Sequence, residues 1–352
     1  MVRRFFLLPE PVLEARNLVK HFPITKGFFF KKRVGSVRAV DDISFTVDKG
    51  ETVGLVGESG SGKSTTANMV MRLLDVTSGS IFFEGIDISH AKPKDLKIFR
   101  KRTGIVFQDP YSSLDPRKNI FQTISEPMVV HGWGTKRERA QRVYDLLEKV
   151  GLRASDARKY PHQFSGGQRQ RIAIARALAL TPSFIVADEA VSALDVSVQA
   201  KILNLFMDVQ KEFNLSYLFI THDLSVLRHI SNKVVVMYLG KIVEYGTVDD
   251  IYERPMHPYT RALLQAIPVP NPVLMKERTF EPMRGEIPSP INPPSGCRFR
   301  TRCPYAQPKC ASDAPPLERL DGQHYVSCHY WNEISEGLAP KHLVQPSVDM
   351  TI

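Results

Sequence analysis

No stretch of roughly 18 or more apolar residues occurs in the 352-residue chain, so no segment has the length and character of a membrane-spanning helix. The N-terminal Met1-Val2-Arg3-Arg4-Phe5-Phe6-Leu7-Leu8-Pro9 lacks the apolar core of roughly 7–15 residues and the small-residue cleavage site of an export signal, which predicts a protein that stays in the cytoplasm. Acidic residues are in deficit, 37 against 47 basic ones, and the formal charge of +10 points to an acidic partner: nucleotide, nucleic acid or an anionic membrane face. The basic runs Lys31-Lys32-Arg33 and Lys136-Arg137-Glu138-Arg139 have no aromatic residues interleaved, so neither reads as a single-strand nucleic-acid groove. There is no internal repeat, and cysteine is absent before Cys297.

What is present begins with Gly57-Glu58-Ser59-Gly60-Ser61-Gly62-Lys63-Ser64, a match to G-x-x-x-x-G-K-[ST]. It lies between the apolar, strand-like Thr52–Val56 and a helix-like run beginning near Thr65, and this strand, loop and helix order makes the pattern a phosphate site. Glycines 57, 60 and 62 let backbone amides turn toward phosphates, and the helix presents its positive end to the same anion. Lys63 is expected to reach the β- and γ-phosphate oxygens and Ser64 to hold Mg²⁺.

Phe184-Ile185-Val186-Ala187-Asp188-Glu189 is an apolar run ending in two acids, the pattern of a buried parallel strand delivering carboxylates at its C-terminal edge. Asp188 is then placed to position Mg²⁺, and Glu189 to accept a proton from an attacking water. Phe164-Ser165-Gly166-Gly167-Gln168 opens a helical pattern over Arg169–Leu180 and reads as a second anion-binding helix start; standing alone, it would sooner be read as an ordinary serine cap with a glycine turn.

Taken in order, these segments resemble the motifs of ABC-type ATPases, with Phe164 where leucine is commoner and Ala190 where proline is commoner. The resemblance implies an α/β fold: a RecA-like core with an antiparallel β subdomain and a helical subdomain at about 110–180, followed by a small loop-rich C-terminal domain. It implies ATP and Mg²⁺ as ligands, with nucleotide binding by Gly57, Ser59, Gly60, Ser61, Gly62, Lys63, Ser64 and Thr65 and metal contacts from Ser64, Gln108 and Asp188. Gln108 matches the Q-loop, His222 the switch histidine and Asp195 the D-loop, so Glu189, His222, Gln108 and Lys63 form the expected catalytic set. Ser165, Gly166, Gly167 and Gln168 would serve the ATP held by a partner subunit, because one phosphate loop and one signature make two half-sites. Phe22 is the expected adenine-stacking aromatic, with Phe28, Phe29 and Phe30 as alternatives across an insertion from Ile24 to Val37.

Fourteen of the 25 prolines lie between Pro255 and Pro316, which places a composition boundary near Glu253: a cassette over 1–252, a loop-rich domain over 253–335 and a tail over 336–352. The segments Gln108–Pro116 and Arg254–Leu264 resemble the ATP-binding subunits of dipeptide and oligopeptide importers, a group that also includes nickel, opine and sugar importers. The resemblance implies a peripheral position on the cytoplasmic face of the inner membrane, two permease subunits, a second and different ATPase chain, and an extracytoplasmic solute-binding protein. It predicts no nucleic acid; a soluble nucleic-acid-linked ATPase switch is the competing class. Docking to the permeases is expected beside Gln108 and the segment from Tyr111 to Val150.

All four cysteines, Cys297, Cys303, Cys310 and Cys328, fall in the proline-rich region at spacings that lack the C-x₂-C pairs of ordinary zinc ribbons. In a reducing compartment grouped thiols point to metal or to nothing. The importer resemblance implies a [4Fe-4S] cluster, with zinc, helped by His324 and His329, and free thiols left open.

Overall fold

A computed structural model describes residues 11–26, 32–109, 111, 113–267, 283 and 285–338. Its centre is an eight-stranded sheet in the order β11-β12-β10-β9-β3-β8-β7-β6, comprising β3 (Thr52–Val56), β6 (Thr103–Val106), β7 (Phe184–Asp188), β8 (Ser216–Thr221), β9 (Lys233–Tyr238), β10 (Lys241–Thr247), β11 (Glu318–Asp321) and β12 (His324–Val326). The five strands from β9 to β6 run parallel. β3, β8 and β9 are buried at every position, as expected for parallel strands covered on both faces.

Alternation along these strands feeds two cores. Val235 and Met237 of β9, and Leu218 and Ile220 of β8, pack with Val53 and Leu55 of β3 toward a second sheet. Tyr217, Phe219, Val234, Val236 and Tyr238 point the other way, into the helical layer. The second sheet is antiparallel, in the order β2-β1-β4-β5, from β1 (Leu13–Lys26), β2 (Lys32–Val47), β4 (Ser78–Phe83) and β5 (Ile86–Asp87). Fully buried Leu13, Leu18, Val40 and Ile43 join it to the parallel sheet.

Of the supposed insertion from Ile24 to Val37, the described residues belong to the paired strands β1 and β2: β1 continues to Lys26, β2 begins at Lys32, and Phe22 pairs with Val37. Sequence periodicity missed it because the described positions His21–Thr25 and Val34–Val37 are exposed or half-buried and give no clean alternation. Phe28, Phe29 and Phe30 lie outside the described residues.

After α1 (Lys63–Val70) and α2 (Pro93–Arg102), helices occupy the interval between β6 and β7. α3 (Ile120–Val130) and α4 (Lys136–Lys149) both start with complete capping boxes, from Asn119 with Gln122 and Thr135 with Glu138. α5 (Gly166–Ala177) packs against α3, and Ile172 and Ala173 of the one and Ile124 and Met128 of the other are fully buried in the same core. No helix among the described residues is long and apolar enough to cross a membrane.

The region after Tyr252 is loop-rich as expected, but it also continues the main sheet. β12 pairs antiparallel with β10, Glu244 opposite Val326 and Tyr245 opposite Tyr325, and β11 covers β12. Strands of four and three residues are too short to show a period in sequence.

Candidate nucleotide site

Four parallel strands end on one edge of the sheet, and each end carries a motif. The phosphate loop follows β3, Gln108 lies two residues beyond β6, Asp188 ends β7 with Glu189 next, and His222 follows β8. Neighbouring strand ends converge, so residues far apart in sequence meet.

In the loop, a Cβ on Gly57 would lie 2.2 Å from the Met237 carbonyl oxygen and one on Gly62 would lie 2.3 Å from that of Ala39, so both positions exclude any side chain. α1 (Lys63–Val70) starts at Gly62 with no side-chain cap and no acidic residue in its first turn, leaving its free amides to an anion from outside. The Ser61 hydroxyl is buried and unpaired in the same loop. Ser59, Gly60 and Ser64 are exposed, and Thr65 is half-buried.

Lys63 is buried, and its Nζ donates to the Gly57 and Glu58 carbonyls at 2.6 and 3.0 Å. Burial lowers its pKa, opposed by the charges of Glu189, Asp188 and Glu58. Ser64 Oγ donates to Asp188 Oδ1 at 3.2 Å. Burial pushes the Asp188 carboxyl up; the Ser64 hydrogen bond and Lys63 oppose this, while neighbouring Glu189 adds to it. A hydroxyl and a carboxylate with excess negative charge beside them are the hard oxygen donors that Mg²⁺ takes, so these residues fit the ion.

Glu189 has left-handed backbone at φ 48, rare for a residue with a side chain. Its amide donates to Ile220 O at 2.8 Å, tying the end of β7 to β8. The carboxylate accepts from Gln108 Nε2 at 2.9 Å and lies 3.3 Å from His222 Nδ1, so three strand ends meet at one oxygen, Oε2.

The signature residues stand apart from this group. Among the described residues no hydrogen bond or ion pair joins Ser165–Gln168 to the phosphate loop. Ser165 is the N-cap of α5: its hydroxyl accepts from Gln168 N at 3.4 Å, and Gln168 Oε1 accepts from Ser165 N at 3.0 Å. Gly166 and Gly167 face Leu194 and Val198, so the signature packs on the segment that carries Asp195. Asp195 itself is exposed at the start of α6 (Val196–Phe213) and makes no side-chain cap hydrogen bond. Phe22 is 36% exposed, with the Lys20 amine 5.2 Å from its ring centroid. Its partner Val37 lies two residues along β2 from Ala39, which lines the loop.

Sequence reading missed three residues that hold the loop. Glu58 accepts two hydrogen bonds from Arg302, and its amide donates to the Tyr259 hydroxyl at 2.9 Å. The only sequence signals were the position of Arg302 beside Cys303 and of Tyr259 within the Arg254–Leu264 segment.

The four cysteines are free and line one small cavity with Phe299, Tyr330 and His329. Burial pushes the Cys297 thiol up to about 11 and the Cys328 thiol up to about 12, and raises Cys303 further. No three cysteine sulfurs lie within 4.8 Å of one another. A tetrahedral zinc site, with Zn–S near 2.3 Å, would need sulfurs about 3.8 Å apart. His324 is committed elsewhere, its Nε2 2.9 Å from buried Glu244.

A phosphate loop, two acids, a glutamine and a histidine on one edge of a parallel sheet define a P-loop nucleotide hydrolase. A family model described as ABC transporter matches residues 40–192, and one described as Oligopeptide/dipeptide transporter, C-terminal region, matches residues 243–310. Oligopeptide transport ATP-binding protein AppF of Bacillus subtilis is 52% identical over 324 residues, covering 92% of this chain and 98% of that protein. The probable peptide ABC transporter ATP-binding protein y4tS of Sinorhizobium fredii is also 52% identical, over 322 residues, 92% of this chain and 90% of its own length. A dimeric ATP-binding cassette solved in a post-hydrolysis state with ADP and Pi superposes with a TM-score of 0.59 at 29% identity, covering 67% of this chain and 98% of that one. The chain belongs to the ATP-binding proteins of ABC transporters, in the branch that carries the oligopeptide/dipeptide transporter C-terminal region. It is an ATPase with the ABC nucleotide-binding fold.

Proposed function

We propose that this chain hydrolyses ATP at the cytoplasmic face of the inner membrane to energise uptake of di- and oligopeptides. The observation that carries the reading is the meeting of Lys63, Ser64, Asp188, Glu189, Gln108 and His222 on one sheet edge, in a chain whose C-terminal region matches that of oligopeptide transporters. Lys63 and the loop amides bind the phosphates, and Ser64, Asp188 and Gln108 hold Mg²⁺, which neutralises phosphate charge when bound. Glu189 takes the proton of the attacking water, Gln108 senses that water and Mg²⁺, and His222 contacts the γ-phosphate. Phe22 stacks on adenine.

The signature, Ser165 to Gln168, and Asp195 serve nucleotide held by a second, different ATPase chain; their separation from the loop in one chain supports this division of labour. Two permease subunits dock beside Gln108 and the Tyr111–Val150 segment, and an extracytoplasmic solute-binding protein completes the complex. The cassette spans 1–252 and the importer-specific domain 253–335. The four cysteines hold a [4Fe-4S] cluster; that all four line one cavity supports a common metal group there.

The test is affinity purification of tagged Glu189→Gln protein from gently solubilised membranes. Two multi-spanning chains and a second ATPase are expected to co-purify. Recovery alone, or with nucleic acid, from the soluble fraction overturns the transport role and leaves the ATPase assignment standing.

A further inference from the structure

We propose that Arg302 and Tyr259, outside every ATPase motif, are positioning residues for the phosphate loop: they hold Glu58 and so fix the backbone on which the Lys63 amine rests. The inference builds on the reading of residues 57–64 as the nucleotide loop.

Glu58 is the second residue of the loop, where a side chain is free to point into water, as the neighbouring Ser59 does. Instead both its carboxylate oxygens accept from one guanidinium, Oε2 from Arg302 Nη1 at 2.5 Å and Oε1 from Nη2 at 3.1 Å. This is the two-pronged geometry in which arginine binds a carboxylate with most directional control. The Arg302 side chain is 6% exposed, so water competes little for the pair. The Glu58 amide donates to the Tyr259 hydroxyl at 2.9 Å, and the Glu58 carbonyl accepts from Lys63 Nζ at 3.0 Å. One residue thus carries two contacts from the C-terminal region and one from the phosphate-binding lysine.

Both holding residues are themselves fixed. The rings of Tyr238, Tyr259 and Phe299 form a triangle with centroids 4.8, 5.2 and 5.3 Å apart, and Tyr259 is fully buried, so its hydroxyl has little freedom. Phe299 also lines the cysteine cavity. From the same short stretch Arg298 reaches back to the Leu239 carbonyl and to Asp41 of β2, and next to Leu239 the Gly240 amide donates to Ser61 O at 2.8 Å. The span from Cys297 to Cys303 therefore braces the loop from below through Arg298, Phe299 and Arg302. An ion pair that only joined two parts of the chain would have no reason to end on the loop peptide whose carbonyl holds the lysine.

The test uses the full chain as Arg302→Gln, Arg302→Lys, Glu58→Gln and the Glu58→Gln/Arg302→Gln double variant. Equilibrium titration with MgADP and MgATP is paired with hydrogen exchange of residues 57–63 measured without nucleotide. Arg302→Gln is expected to raise both dissociation constants by roughly tenfold, a fraction of the cost of breaking a buried charge pair because the pair acts on nucleotide only through the loop, and to speed exchange in the loop. Arg302→Lys should recover part of each effect, and the double variant should be no worse than Glu58→Gln alone. Wild-type affinity and exchange in a folded Arg302→Gln protein, or additive effects in the double variant, would overturn the proposal. If Arg302→Gln does not fold, Tyr259→Phe removes only the hydroxyl: faster exchange at the Glu58 amide and weaker nucleotide binding support the brace, and unchanged values sink it. A wild-type chain that binds no nucleotide would refute the reading of the loop, whereas the exchange measurement would still report on the brace.

Discussion

The Gln108 side-chain amide donates to the Glu189 carboxylate at 2.9 Å across 81 residues of chain. The carboxylate oxygen that accepts it, Oε2, also lies 3.3 Å from His222 Nδ1, so the group proposed as general base is held between two side chains that arrive on different strands. With Glu189 in left-handed backbone, the site fixes this carboxylate against a backbone preference as well as by hydrogen bonds.

Glu189→Gln keeps the shape of the side chain and its capacity to accept from Gln108 while removing the basic oxygen. Turnover is expected to fall by about 10²–10⁴ with the nucleotide dissociation constant almost unchanged. Steady-state ATPase assays beside equilibrium binding check this, and a near-normal rate would remove Glu189 from its role.

The two signature glycines should respond differently to alanine. A Cβ on Gly167 would sit 2.5 Å from Val198 Cγ1, whereas one on Gly166 would lie 3.5 Å from Leu194 Cδ2, an ordinary contact. Gly167→Ala should lose about 1–3 kcal/mol through overpacking against a stiff β-branched side chain, and Gly166→Ala close to nothing. Denaturant midpoints decide it; equal losses would mean that α5 shifts freely on α6.

Glu244 is fully buried in β10, and its carboxylate accepts from Met256 N at 2.7 Å and His257 N at 2.9 Å, with His324 Nε2 at 2.9 Å. All three partners lie beyond Tyr252. A chain ended at Tyr252 leaves this acid unpaired and the edge of β10 open, at a cost of several kcal/mol against a total stability of about 5–15 kcal/mol. Such a chain should be recovered as aggregate. A soluble monomer with a cooperative melting transition would contradict the prediction.

Asp41 links stability to pH. Burial raises its pKa, but Arg298, Lys241 and His21 outweigh this and hold the carboxyl below its ordinary value. The unfolded chain therefore takes up this proton first on acidification. The contribution of Asp41 is complete above the ordinary carboxylate range, about pH 4, and drains away as the pH falls toward the lower value of the folded state. Asp41→Asn should lower Tm at pH 7, with the gap to wild type narrowing below about pH 4; a gap constant from pH 7 to 3 would rule the linkage out.

The site was legible in the sequence to the extent that its chemistry is local. Gly57–Ser64, Asp188-Glu189 and Ser165–Gln168 are contiguous, and their strand and helix contexts are periodic enough to place them. Ser165 illustrates the limit: the helix it opens was read from Arg169, whereas the Ser165–Gln168 capping box starts it at Gly166. Glu58 was passed over because its partner Arg302 is 244 positions away, and a single long-range contact leaves no period or spacing. β11 and β12 are not legible because strands of four and three residues, the first mostly exposed, are too short for an alternation to detect.

Synthesis runs from the N-terminus, so the order in which the chain leaves the ribosome matters for the phosphate loop. Gly57–Ser64 emerge early, followed by every ATPase motif through His222, yet the guanidinium that grips Glu58 is made 244 residues after it. A chain interrupted after His222 would contain the complete nucleotide vocabulary and still lack the support beneath it. The last fifth of this protein acts on the first.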